Sequence, residues 1–257
     1  MQEDNFIPEI FNYCDRWCER CTFTSRCRSY ESTSKLLPEQ LDMNNKAFWE
    51  NIADNFAKAF VLLEKAAEKF GIEISPLTEK EEAAYRKQEE DINAVIKKHA
   101  LVKLCRKYET LMIPFINDAD PHVNKTRELV SHLHFGITNE ENVVHTVANI
   151  GDCYDILNWY LFLIEAKLRR ALHGLLENEE DDGYSKDSDG SAKIALISIE
   201  KSMAALSRLY EILPETEDNV LMALSVLQQL QVKAKKTFPV AEKFKRPGFD
   251  DCETLLQ

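Results

Sequence analysis

With 257 residues, the chain is long enough for one large domain or two small ones, and it can bury a core without metal or disulfide support. A hydrophobic share of 44% with 30% charged residues suits a soluble globular protein, and only 7 Gly and 8 Pro argue against an all-β fold, which needs many turns. The net charge of −12 argues against a general nucleic-acid-binding surface, which requires a basic field, though it leaves room for a small local basic patch.

The opening MQEDNFIPEIF has neither a basic n-region nor a long apolar stretch, so no secretory signal is expected. A first helix is expected over 6–21, because Ile7, Ile10, Phe11, Cys14, Trp17, Cys18 and Cys21 fall on one stripe at three-and-four spacing. Residues 28–40 read as a connector, polar at first and containing Pro38. A long helix over 41–70 follows, with Phe48, Ile52, Phe56, Phe60 and Leu63 on one face and Gly71 past its end. Thr78 and Glu81 have capping-box spacing and open a helix expected to run to Met112, with Pro114 preventing continuation.

A shorter helix is expected over 121–134, ending near Gly136. Thr138 and Glu141 suggest a second capping box ahead of a helix over 139–177, the most apolar in the chain. Its run ILNWYLFLI covers only 156–164, far short of the roughly 20 residues that cross a bilayer. The acidic stretch 177–191 reads as a loop, and two further helices fit 191–213 and 216–236, separated by Pro214. The tail 237–257 holds Pro239, Pro247 and Gly248 and reads as irregular. The expectation is an all-α fold: a helical bundle of about six to seven helices over 41–236, behind a short N-terminal cysteine-rich segment and connector over 1–40.

Four of the seven cysteines fall within YCDRWCERCTFTSRC, residues 13–27, as Cys14, Cys18, Cys21 and Cys27 with C-x3-C-x2-C-x5-C spacing. The other three, Cys105, Cys153 and Cys252, lie far apart. An odd total in a chain expected to be cytoplasmic disfavours a disulfide framework, so a thiolate metal site is the better use of the four. On an unbroken helix, Cys14 and Cys21 would stand about 10 Å apart along the axis. Tetrahedral zinc holds its sulfurs about 3.8 Å apart, so a single zinc would require the helix to break near Cys18. An iron–sulfur cluster, with each thiolate on a different iron, spans the wider gap.

The expected cofactor is therefore an iron–sulfur cluster or zinc. Either leaves a site of about −2 net charge, which Arg16, Arg20, Arg26 and Arg28 are placed to offset and to hydrogen-bond, unless they are ordinary surface arginines. The competing structural reading packs the cysteines as small core residues. C-x3-C-x2-C is also the spacing found in radical SAM enzymes, but that motif sits on a loop of a β/α barrel. This chain shows neither strand signals nor Gly-rich cofactor segments.

Within 139–177, the residues His145, Asn149, Asp152, Asp155, Asn158, Glu165 and Arg169 trace one slowly drifting polar face. Either this is the solvent face of a largely buried helix, or His145, Asp152 and Asp155 turn into a cleft and bind a metal or polar ligand. No Glu-x-x-His pair, P-loop, hydrolase elbow or G-x-G-x-x-G occurs. The functional expectation is a cytoplasmic helical metalloprotein, redox-active or electron-transferring if it holds iron, with neither a nucleic-acid nor a membrane partner. The alternatives are a helical interaction protein with a structural zinc and an unidentified partner, and an enzyme with a carboxylate and histidine site inside the bundle.

Overall fold

A computed structural model describes residues 5–177 and 187–250. Among these residues there are nine α-helices and no strand, as expected for an all-α chain. The chain divides into two compact units. One comprises the residues up to Phe11 together with Cys18–Glu90, and the other comprises Asn12–Trp17 together with the residues from Asp91 onward. The later division falls inside a helix, between Glu90 and Asp91.

The first unit holds α1 (Arg28–Ser34), α2 (Pro38–Leu41), α3 (Lys46–Phe70) and the larger part of α4 (Glu79–Lys98). The Asn45 side chain accepts the Ala47 N–H at the start of α3, and Gly71 closes its end at φ 66°, a left-handed conformation that costs glycine little. The expected capping box opens α4: Thr78 Oγ1 accepts the Glu81 N–H at 3.3 Å, and the Glu81 carboxylate accepts the Thr78 N–H at 2.8 Å. Among the described residues, the buried hydrophobic side chains of this unit are Ile7, Ile10 and Ala67. The α3 stripe is not a core face here, for Phe56, Phe60 and Leu63 are exposed.

The helix expected over 6–21 does not form. Residues 5–17 run through turns, and short 3-10 turns follow at Cys18–Arg20 and Thr24–Arg26. Pro8 disfavours helical conformation at Ile7 before it, and Glu9 and Arg16 adopt φ 59° and 58°, outside the right-handed helical region. The expected connector 28–40 is instead largely helical, as α1 and α2, with Pro38 at the start of α2 where its missing N–H costs nothing.

The second unit contains the end of α4, then α5 (Ala100–Asn117), α6 (Asp120–His134), α7 (Glu140–Leu176), α8 (Asp187–Ile212) and α9 (Glu217–Thr237). α7 packs on α5 and α8, and α9 packs on the same two, so these four helices enclose the core while α6 lies on α7. Tyr108 and Met112 of α5, Leu157 and Ile164 of α7, Ile199 and Leu206 of α8, and Leu227 and Leu230 of α9 are buried in it.

Three boundaries differ from expectation here. The helix expected to run from 78 to 112 stops at Lys98, because His99 takes an extended conformation and its Nδ1 accepts the Leu101 N–H as the cap of α5. α5 then passes through Pro114 to Asn117, with Phe115 buried beyond it, so packing there outweighs the lost hydrogen bond. The cap of α7 is Asn139, which accepts the Asn142 N–H at 2.8 Å, and not Thr138.

The acidic loop expected over 177–191 falls partly outside the described residues, but α8 already begins at Asp187. As far as Asp250 the tail is irregular but packed: Phe238, Ala241 and Phe244 are buried, and Arg246 closes on the Asp250 carboxylate at 2.8 Å. No helix among the described residues is long and apolar enough to cross a membrane.

Candidate metal centre

Three of the four clustered cysteines belong to the first unit, and tight turns position them. The Cys21 N–H donates to the Cys18 carbonyl at 3.1 Å, closing the 3-10 turn between them. The Phe23 N–H donates to Cys21 Sγ at 3.4 Å. Cys27 follows the second 3-10 turn in extended conformation and leads into α1, its carbonyl accepting the Glu31 N–H at 3.0 Å. All three thiols are half-buried. Their sulfurs do not close to within 4.8 Å of one another, as three ligands of one zinc ion would. Arg26 and Arg28 tie this loop to the preceding stretch. The Arg26 carbonyl accepts the Ile7 N–H at 3.0 Å, its guanidinium donates to the Asn5 carbonyl at 3.3 Å, and Arg28 stands 5.5 Å above the Phe6 ring. Arg20 lies within the first 3-10 turn.

Cys14 belongs to the second unit, on a segment pinned to the bundle by its neighbours. The Trp159 indole donates to the Asp15 carbonyl at 3.0 Å, and the Tyr160 hydroxyl donates to the Asp15 carboxylate at 2.5 Å. Lys201 Nζ donates to that carboxylate at 3.1 Å and to the Tyr160 oxygen at 2.8 Å. Burial pushes the Asp15 carboxyl up, but the Tyr160 hydrogen bond and the Lys201 charge more than offset it and hold it below its ordinary value. Trp17 stacks on Trp159 with ring centres 5.0 Å apart, and Tyr13 lies against Phe244 at 4.6 Å.

Burial pushes the Cys14 thiol above its ordinary value, against a hydrogen bond from the Arg16 N–H and the charges of Arg16 and Lys167. Lys167 is itself buried on α7. Its burial and the Arg170 charge pull the ammonium down, while Cys14 and Asp187 favour keeping it charged. Cys14 and Cys21 therefore share one local device: the N–H two residues further on points at the sulfur. At Cys14 that bond works against the burial that raises the thiol, and the left-handed Arg16 makes the turn possible there. Cys105 and Cys153, by contrast, are buried core residues, and burial pushes both thiols upward.

His145, Asp152 and Asp155 lie on the exposed face of α7, together with Asn158. They do not line the cleft of about 360 Å³ that opens between the end of α4, the C-terminal part of α7 and the start of α8. That cleft is lined by Asn93, Ile96, Arg169, Arg170, His173, Gly174, Glu177 and Asp187. Its charges are matched within it or beside it: Arg170 grips Asp187 at 2.8 and 2.9 Å, Arg169 meets Glu165, and His173 stands 3.2 Å from Glu177. Beside it, Glu109 of α5 and Glu165 of α7 face each other, with Arg106 and Arg169 at hand. Burial and the Glu165 charge raise the Glu109 carboxyl to about 7.

Sequence reading missed Asp15, Lys167, Lys201 and the Glu109–Glu165 pair. Asp15 alone carries a signal in the sequence, as an acid inside the cysteine run between Cys14 and Arg16. Fold and site together define an all-α protein with an irregular four-cysteine segment ahead of a helical core. Comparison with protein-family models, curated proteins and solved structures finds no match to this chain.

Proposed function

We propose that Cys14, Cys18, Cys21 and Cys27 bind a metal centre through their thiolates, an iron–sulfur cluster in first place and zinc in second. The observation that carries this reading is the spacing that places four thiols in fifteen residues, with the Phe23 N–H donating to Cys21 Sγ at 3.4 Å. The cluster comes first because its thiolates each take a separate iron and so span the wide C-x3-C-x2-C-x5-C spacing. The loss of the expected helix supports zinc as the second reading, because the backbone is free to bend between Cys14 and Cys21.

Arg16 and the buried Lys167 supply positive charge beside Cys14, which a thiolate bound to metal would balance better than a neutral thiol. When bound, a cluster supplies one-electron redox chemistry, suiting electron transfer or redox sensing in the reducing cytoplasm. Zinc would instead stabilise a unit whose described core is slight. The test is the Cys18→Ser variant, compared with wild type after anaerobic purification. Loss of the bound metal, and of visible absorption if it is a cluster, with helical circular dichroism retained is the expected result. Equal metal content in the two proteins would contradict it.

A further inference from the structure

α3 carries a strict heptad beside the broader stripe. Trp49, Phe56, Leu63 and Phe70 occupy one seam position, and Ile52, Ala59 and Ala66 occupy the other, at alternating spacings of three and four over its whole length. This face is open. Trp49 is 58% exposed, Phe56 64%, Leu63 53% and Phe70 71%, and the flanking Phe60 and Leu62 are also exposed. At about 200 Å² per aromatic side chain, these residues leave roughly 700 Å² of apolar surface in water. That exceeds the roughly 300–600 Å² of a typical monomer's largest patch and approaches the roughly 800 Å² that each partner contributes to a stable interface.

We propose that α3 pairs with α3 of a second copy of this chain as an antiparallel coiled coil. Side-chain size selects both the occupant and the direction. A parallel pair would set Phe56 against Phe56 and Ala59 against Ala59, crowding one layer and emptying the next. An antiparallel pair sets one seam position against the other, so large meets small and the layers interlock. One register does this along the helix. It places Trp49 against Ala66 of the second copy, Phe56 against Ala59 and Ile52 against Leu63. Lys46 falls beside Lys69, and the ion pair of Lys46 with Glu50 at 2.7 Å tempers that like charge.

Sedimentation equilibrium of the full chain tests the pairing. Wild type is expected to be a dimer in the micromolar range, and Leu63→Glu to weaken self-association at least tenfold with unchanged helical circular dichroism, because Leu63 is exposed in the single chain. Phe56→Ala and Ala59→Phe should each weaken the dimer, and the double variant should restore it by rebuilding a large-against-small layer. Direction is read by lysine cross-linking with mass spectrometry. Lys46 and Lys69 of one helix lie roughly 35 Å apart, beyond the reach of a short linker, so a Lys46–Lys69 link reports antiparallel copies. A monomer at high micromolar concentration, a dimer indifferent to Leu63→Glu, or Lys46–Lys46 links without Lys46–Lys69 links would each overturn the proposal.

Discussion

Two buried or half-buried charges set the chemistry at the residue scale. Lys167 is buried, with its ammonium under pressure from burial and Arg170, and Cys14 is among the groups that favour its charge. Lys167→Met is expected to stabilise the metal-free protein by about 1 kcal/mol, because an apolar residue replaces a desolvated cation. The same change should weaken metal retention, because a thiolate centre loses a neighbouring cation. Urea unfolding of the metal-free protein and a chelator competition on the loaded protein measure the two effects. Shifts of the same sign would contradict the link between Lys167 and Cys14.

Glu109 gives a pH signature. Its carboxyl is raised to about 7 in the folded chain, chiefly by burial and by Glu165, whereas the unfolded value is 4.5. The folded state therefore holds a proton that the unfolded state has lost, and stability falls as pH rises from about 4.5 to about 7. Discounted for its partial exposure, the loss amounts to about 1 kcal/mol. Glu109→Gln should match wild type below pH 4.5 and exceed it by that amount at pH 8, as read by denaturation midpoints at the two pH values. Neither residue was legible beforehand. Lys167 and Glu109 owe their environment to partners on other segments, and periodicity along one helix carries no information about those.

At the scale of elements, caps and spacing were legible and breaks were not. α3, α6, α7 and α9 fall close to their expected positions because Asn, Thr and Gly sit at their ends and the apolar period is sustained. The 6–21 helix was misread because its three-and-four stripe is real in sequence, but Pro8 and two left-handed residues send the chain elsewhere. The break at His99 had no Gly or Pro to announce it; a histidine ring nitrogen capping α5 did the work.

Gly190 shows what the early start of α8 serves. A Cβ there would lie 2.3 Å from the Tyr13 ring and 2.7 Å from the Phe244 ring, so the glycine is the seat for the segment that carries Cys14. Gly190→Ala is expected to destabilise the protein by about 2 kcal/mol through overpacking, outweighing alanine's helix propensity. Thermal unfolding measures it, and an unchanged or raised midpoint would contradict the close packing of Tyr13 over α8.

For the whole molecule, the all-α class followed from scarce Gly and Pro, absent strand patterns and long helical periods. The division at residue 90 was not legible, because it falls within an unbroken helix with no change of composition. The same division separates two very different economies of burial. One unit encloses a four-helix core, while the other has three buried hydrophobic side chains among its described residues. Metal ligation and self-association are two physical means by which a unit with so slight a core gains stability.

Metal binding by the four N-terminal thiols is the step on which the proposed function rests. Iron, zinc and acid-labile sulfide measured per chain in protein purified anaerobically test it most directly. Stoichiometric iron with sulfide, or one zinc per chain, is expected, with loss of either in the variant lacking Cys14, Cys18, Cys21 and Cys27. Wild-type protein free of both iron and zinc, yet folded, would contradict it.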